Sequence, residues 1–122
     1  SAERHLLSNG LFNNKTESVL ESSNQLPLTY GLFEKDAIVF KNLKSTTVSL
    51  KSKKSNNGVK FSFNGFPYLG IWAKGHGNFV CIEPWLGIAS SVSGPVELSQ
   101  KEGILKLQPQ EIFGCMHAIV VG

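Results

Sequence analysis

The chain has 122 residues, of which 41% are apolar and 17% charged, so it fits a single globular domain and is not a disordered tail. Its net charge is +3, and Arg4 is the only arginine among its 12 basic residues, so we expect no nucleic-acid partner. No apolar run approaches the roughly 18 residues of a membrane span and no signal peptide is recognisable, so we expect a cytoplasmic protein without a membrane partner.

The first 25 residues are predicted to form a loop-like connecting segment. Serine and asparagine are frequent between residues 8 and 25, whereas leucine, phenylalanine and valine occur there without a clear period. The best candidate for a helix anywhere in the chain is the short stretch 17–21. We therefore expect the folded domain to cover residues 26–122.

From residue 36 onward the dominant period is two, which predicts strands. A first strand is expected at 36–40. Two alternating runs, 46–51 and 59–63, flank Asn57-Gly58, a dipeptide that predicts a tight hairpin turn. Two further hairpins are predicted, one joining 67–74 to 78–83 and one joining 104–107 to 112–121. Many short strands separated by turn residues predict an all-β fold, an antiparallel β-sandwich.

The stretch 79–85 places one carboxylate, Glu83, inside an apolar run. Pro84 follows it and is expected to end the strand, because proline has no N–H to donate to a neighbouring strand. Glu83 is then either a strand-end residue that reaches solvent or a lysine, or a general base tuned by partial burial beside an indole. Residues 79–82 are apolar on both faces of the strand, which suggests part of a larger fold.

The two cysteines, Cys81 and Cys115, both lie among apolar residues. Two cysteines form neither a disulfide-rich scaffold nor a zinc site by themselves. We therefore predict two small buried side chains in a reducing compartment.

Several of these runs together resemble the C-terminal half of the aldose 1-epimerase, or galactose mutarotase, family. The likeness covers residues 26–121 and is strongest with the bacterial subgroup associated with lactose operons. It is carried by LPL (26–28), LFEKDAIVF (32–40), FPYLGIW (66–72), CIEPWLGIA (81–89) and KEGI (101–104). Ordered, spaced motifs of this kind are more specific than one short pattern.

The resemblance implies that this chain is part of a larger galactose-mutarotase-like supersandwich. It implies interconversion of the α and β anomers of free aldoses without metal or cofactor, with a monosaccharide, an aldohexose, as substrate. Glu83 would be the general base, and Asp36 would accept hydrogen bonds from sugar hydroxyls. Without the resemblance, Asp36 would be interpreted as a turn residue at the start of a strand.

The two tryptophans are also candidate substrate-binding residues. Trp72 and Trp85 offer flat faces to the C–H side of a pyranose, although an indole in a sandwich can equally belong to the core. The acid histidine and a sugar-binding arginine of the family would lie in a missing N-terminal half. The histidines present, His5, His76 and His117, do not match the family's motif and are interpreted as surface or packing residues.

Without the missing half, the chain would be weak or inactive, and its expected protein partner is that half or a second copy of itself. Two other functions remain open on the sequence. One is a non-catalytic carbohydrate-binding β-sandwich that uses the same aromatic residues. The other is an interaction module that binds through the lysine-bearing hairpin at 51–60. A preference for a phosphorylated sugar is a variant of the epimerase hypothesis.

Overall fold

The fold was analysed in a computed structural model that describes all 122 residues. It contains two antiparallel sheets and no α-helix, which confirms the predicted all-β fold. The strands are β1 (Ala2–Ser8), β2 (Leu11–Leu20), β3 (Ile38–Lys41), β4 (Thr47–Lys51), β5 (Gly58–Ser62), β6 (Tyr68–Trp72), β7 (Cys81–Trp85) and β8 (Ala118–Val121). Two short 3-10 turns lie at Tyr30–Phe33 and Leu98–Gln100. None of the helical segments has the length and apolar character that a membrane crossing requires.

The larger sheet has five strands in the order β2-β1-β3-β6-β7, and the smaller has three in the order β4-β5-β8. Successive side chains of a strand point to opposite faces, so each sheet presents two sets of residues. Ile38, Phe40 and Leu69 of the larger sheet form one buried cluster with Phe61 and Phe63, which come from the smaller sheet and the residue after β5. This cluster is the core between the two layers.

The opposite face of the larger sheet carries a second, smaller apolar cluster. Val39 and Tyr68 pack there with Phe12 and Ile88, and Trp85 lies partly buried against them. Because Val39 points to the opposite side from Ile38 and Phe40, strand β3 contributes side chains to both clusters. We call this second side of the five-stranded sheet the outer face.

The loop-like interpretation of residues 1–25 is wrong in its secondary structure. Residues 2–20 form the antiparallel hairpin β1–β2, and β1 joins the sheet through the pair His5 and Val39. The helix expected at 17–21 is also wrong, because residues 17–20 belong to β2. The polar residues that suggested a loop lie on β2, which is an edge strand and keeps most of its side chains in solvent. The division of the chain at residue 26 stays a prediction.

Three of the expected strand pairings can be compared directly with the structure. The hairpins β4–β5 and β6–β7 are confirmed. The tight turn predicted at Asn57-Gly58 is not found. Gly58 already pairs with Lys51, and six residues, 52–57, connect the two strands. The hairpin between 104–107 and 112–121 is wrong: only 118–121 form a strand, and it pairs with β5, whose second edge would otherwise be unpaired.

Two residues depart from their expected positions for simple physical reasons. Pro84 does not end its strand but pairs with Leu69 inside β7. Proline is tolerated here because β7 is an edge strand with no neighbouring strand on its free edge, so no hydrogen bond of the ladder is required there. Cys115 is exposed rather than buried, since its segment belongs to neither sheet, whereas Cys81 is half-buried; both are free thiols.

We predict that Leu69→Ala destabilises the fold far more than Leu105→Ala. Leu69 is 1% exposed in the core between the sheets, whereas Leu105 is 51% exposed. The buried truncation should lower the free energy of unfolding by about 2–5 kcal/mol, and the exposed one by less than about 0.5 kcal/mol. Urea unfolding of both variants measures this, and equal losses would contradict the assignment of the core.

Candidate functional site

The pairing of β6 with β7 brings three of the four predicted site residues to one face. Gly70 pairs with Glu83, Trp72 with Cys81, and Tyr68 with Trp85. Directly paired residues share a face, as do residues two apart along a strand. Glu83 therefore lies on the outer face, with Trp72 diagonally on one side of it and Trp85 on the other.

Glu83 is half-buried in the middle of β7, not at a strand end. Its Oε2 accepts a hydrogen bond from Nε1 of Trp85 at 3.1 Å, and its Oε1 accepts none. Glu83 takes part in neither of the two ion pairs, so no lysine neutralises it. A half-buried carboxylate with one oxygen held by an indole and the other without a hydrogen bond is suited to take a proton from a bound hydroxyl.

The two tryptophans differ in how they are held. The indole of Trp85 lies over Gly70, close enough that a methyl group there would come within 2.7 Å of its Cζ2. Trp72 makes an edge-on contact with Phe79, with 5.8 Å between ring centroids. Both tryptophans belong to the same face as Glu83, so the outer face combines a carboxylate with aromatic side chains.

Asp36 comes from a loop and not from the β6–β7 pair that carries the other three residues. It lies in the loop before β3 with φ of 75°, in the left-handed region, and its exposed carboxylate accepts a hydrogen bond from the N–H of Ala37 at 2.7 Å. No hydrogen bond or ion pair joins Asp36 to Glu83. The structure thus shows Asp36 as a turn residue at the strand entrance and leaves its sugar contact a prediction.

Arg4, which sequence reasoning treated only as a lone basic residue, holds this loop in place. Its side chain is 4% exposed, and its guanidinium donates to the carbonyl oxygens of Leu32, Lys35, Asp36 and Ala37 at 3.1–3.3 Å. Burial lowers the pKa of Arg4, whereas the charges of Glu17 and Asp36 act in the opposite direction. An arginine inside an alternating strand was the sequence signal that could have marked this role.

A polar group lies beside Trp85 on the outer face. Lys41 pairs with Tyr68 across β3 and β6, and its Nζ forms an ion pair with Glu102 at 2.8 Å. The hydroxyl of Tyr68 donates to the same carboxylate at 3.4 Å. The side chain of Lys41 is only 18% exposed. These contacts tie the segment around residue 102 to the sheet next to the site.

The histidines do not supply a partner acid at Glu83. His5 pairs with Val39, so it lies on the outer face in the same cross-strand row as Gly70 and Glu83, three strands away from the carboxylate. Burial and the charge of Lys41 lower the pKa of His5, against smaller effects of Glu102 and Glu3, which favours neutral imidazole at pH 7. His76 contacts Tyr30 and His117 contacts Phe61, in line with packing roles.

Two cavities of the structure do not include Glu83. One of about 620 Å³ opens between the ends of β4, β5 and β8. A second of about 310 Å³ is lined by residues from 86–88 and 98–105. Neither is lined by Glu83, Asp36, Trp72 or Trp85. The candidate site therefore lies on the outer face of the sheet and belongs to neither of these two cavities.

Comparison with solved structures identifies the fold. The galactose mutarotase related enzyme from Lactobacillus acidophilus matches 99% of the chain with a TM-score of 0.86 and 28% sequence identity. A galactose mutarotase-like protein from Lactobacillus casei also matches 99% of the chain, with a TM-score of 0.77 and 21% identity. A match at this identity shows similarity of fold alone. In both cases the match covers 41% of the other chain.

Sequence comparison agrees with the structural one. The chromosomal and plasmid forms of protein LacX from Lactococcus lactis are each 37% identical over 91 residues. That match spans 74% of this chain but only 30% of LacX. No family model matches the chain. The similarity thus extends over a minor part of each longer relative.

We predict that Tyr68 ionises above the ordinary range of tyrosine. Burial raises its pKa, and the neighbouring Glu102 carboxylate raises it further. A phenol that stays protonated longer in the folded state stabilises the fold below pH about 10, and this contribution is lost as the pH rises through the folded pKa. In the Tyr30→Phe variant, Tyr68 is the only remaining tyrosine, so the tyrosinate absorbance as a function of pH measures the pKa of Tyr68 directly. Titration at or below the ordinary range, with Tyr68→Phe as the matched control, would contradict the prediction.

Proposed function

This chain is related to the galactose mutarotase family, and we propose that it is the part of an aldose 1-epimerase that carries the general base. The observation that supports this most is the carboxylate of Glu83, half-buried on an open sheet face and hydrogen-bonded by an indole at 3.1 Å. An enzyme that moves protons on a sugar needs such a group within hydrogen-bond reach of a hydroxyl.

In the proposed reaction, Glu83 takes the proton of the C1 hydroxyl while the bond between C1 and the ring oxygen breaks. The ring oxygen takes a proton from an acid, and the product is the open-chain aldehyde. Rotation about the C1–C2 bond turns the carbonyl to its other face. Ring closure then reverses both proton transfers and gives the other anomer. Protons and electrons balance, because on ring closure the C5 hydroxyl returns its proton to the acid and protonated Glu83 returns its proton to the C1 oxygen.

The substrate in this proposal is a free aldohexose. Trp72 lies on the same face as Glu83 and offers an apolar face to the C–H side of the ring, and Trp85 is the alternative candidate for this contact. Asp36 would accept a hydrogen bond from a sugar hydroxyl through the carboxylate oxygen that Ala37 does not occupy. The free thiols of Cys81 and Cys115 are compatible with a reducing compartment, and we place the protein in the cytoplasm.

The acid that protonates the ring oxygen is proposed to come from outside these 122 residues. The chain exposes 8931 Å², whereas a compact monomer of 13.3 kDa exposes about 6,500 Å². Large apolar side chains such as Ile112, Met116 and Val121 are more than three-quarters exposed. We propose that an N-terminal half of the same protein, or a second copy, covers this surface and completes the site.

We predict that the chain by itself does not remain a clean monomer. The outer edge of β8 is unpaired and all four of its residues are exposed, an arrangement that favours strand-to-strand association. Light scattering across a concentration series should show a dimer or larger species. A mass equal to one chain at all concentrations would contradict the proposed covering of this surface.

We predict that Glu83→Gln abolishes mutarotation in the longest form of the protein that contains this chain. Glutamine keeps the shape but cannot accept the proton, so the rate should fall at least about 100-fold. Polarimetry of fresh α-D-glucose and α-D-galactose measures it. The control is Glu21→Gln, an exposed glutamate beyond the end of β2, which should leave the rate unchanged.

Two results would contradict this proposal. Acceleration that survives Glu83→Gln would show that another group is the base. Sugar binding without acceleration, with affinity kept in Glu83→Gln, would favour the non-catalytic carbohydrate-binding module, because such a module needs Glu83 only as a hydrogen-bond acceptor.

A further inference from the structure

We propose that Trp85 is a positioning residue for Glu83 and that Gly70 is a glycine because it leaves space for the indole that does this. The inference rests on the proposed role of Glu83 as the base. It gives Trp85 a function other than sugar stacking, and it gives Gly70, to which sequence reasoning assigned no role, a place in the site.

The two residues of β7 are arranged so that one orients the other. Glu83 and Trp85 are two apart on an edge strand, so their side chains rise from the same face. Nε1 of Trp85 donates to Oε2 of Glu83 at 3.1 Å, the only side-chain hydrogen bond that either residue makes. An indole nitrogen is a donor and never an acceptor, so this bond fixes which carboxylate oxygen faces the ring.

The indole itself is fixed by what lies on either side of it. Below it, Gly70 pairs directly with Glu83 across the ladder. A Cβ at that position would lie 2.7 Å from Cζ2 of Trp85 and 3.1 Å from Cε2 and Cη2. Real side chains do not approach that closely, so any larger residue would push the six-membered ring off the sheet. Gly70 has no positive φ, so backbone conformation does not explain the glycine.

Packing against neighbouring side chains restricts sideways movement of the Trp85 ring. Trp85 contacts the buried outer-face cluster that contains Val39, Tyr68 and Ile88. Tyr68 is in turn bonded to Glu102. A ring held on these sides has one orientation, and a hydrogen bond from a rigid donor restrains a flexible glutamate more than a bond from a mobile one. The result is a carboxylate whose Oε2 is held by the indole and whose Oε1 has no hydrogen bond.

The hydrogen bond can be tested without reference to catalysis. The chain has two tryptophans, and Trp72→Phe and Trp85→Phe assign their indole N–H signals in a ¹H–¹⁵N spectrum. Glu83→Gln replaces a charged acceptor by a neutral one, so the Trp85 signal should move clearly upfield while the Trp72 signal moves little. A Trp85 signal that does not respond would overturn the proposal, whether or not the protein is an epimerase.

Kinetics then separates positioning from sugar stacking. If Trp85 orients the base, Trp85→Phe should lower kcat about 10- to 100-fold and change KM less than about 2-fold. If it is a sugar platform, KM should rise with kcat kept, which would overturn the proposal. These rates are measured in the longest form of the protein that contains this chain. If the wild type is inactive in that form, the proposed function is refuted instead, and the spectrum alone then decides whether Trp85 restrains Glu83.

The role of Gly70 has a matched control within the chain. Gly70→Ala should lower kcat as Trp85→Phe does, and in a Trp85→Phe background it should add little, because the smaller ring leaves room for the methyl group. Gly87→Ala is the control, since a Cβ at Gly87 meets nothing within 4 Å, and it should leave kcat unchanged. Additive losses in the double variant would show that Gly70 acts by another route.

Discussion

The register between β6 and β7 is the constraint on which the candidate site depends. Because Gly70 stands opposite Glu83, the carboxylate, both tryptophans and Tyr68 project from the same face of the sheet. A shift of one residue would turn Glu83 into the core between the sheets, where Leu69 and Ile82 lie. The apolar residues of the inner face fix this register, so the core determines where the polar chemistry is exposed.

A second constraint links the hairpin β1–β2 to the loop before β3. Arg4 is buried and its guanidinium donates to four carbonyl oxygens of 32–37, so displacement of that loop would leave buried N–H donors of Arg4 unpaired. Asp36 sits in this loop at a positive φ. The first residues of the chain therefore support β3, in which Val39 pairs with His5 on one side and with Gly70 on the other. They are part of the sheet and not a leader to it.

The amount of exposed apolar surface agrees with the fact that the chain matches only 41% of a longer relative. A chain that corresponds to 41% of a mutarotase-related structure should leave apolar surface uncovered, and Ile112 and Met116 are examples. Glu83, the proposed base, and the residues proposed to support it lie on two adjacent strands, β6 and β7. The acid is not found next to it. This division is compatible with a site formed where separate parts of a sandwich meet.

The sequence by itself determined the all-β class, the hairpins β4–β5 and β6–β7, and Glu83 as the residue in need of an explanation, because period-two alternation and a carboxylate in an apolar run are local signals. It misjudged residues 2–20, whose strand β2 is an edge and therefore carries polar residues like a loop. Only the tertiary structure decided that Pro84 stays within a strand, that Arg4 holds the loop at Asp36, and that Trp85 lies on Gly70. Each of these depends on which strand is a neighbour across the sheet, and that is a property of long-range pairing which no local pattern encodes.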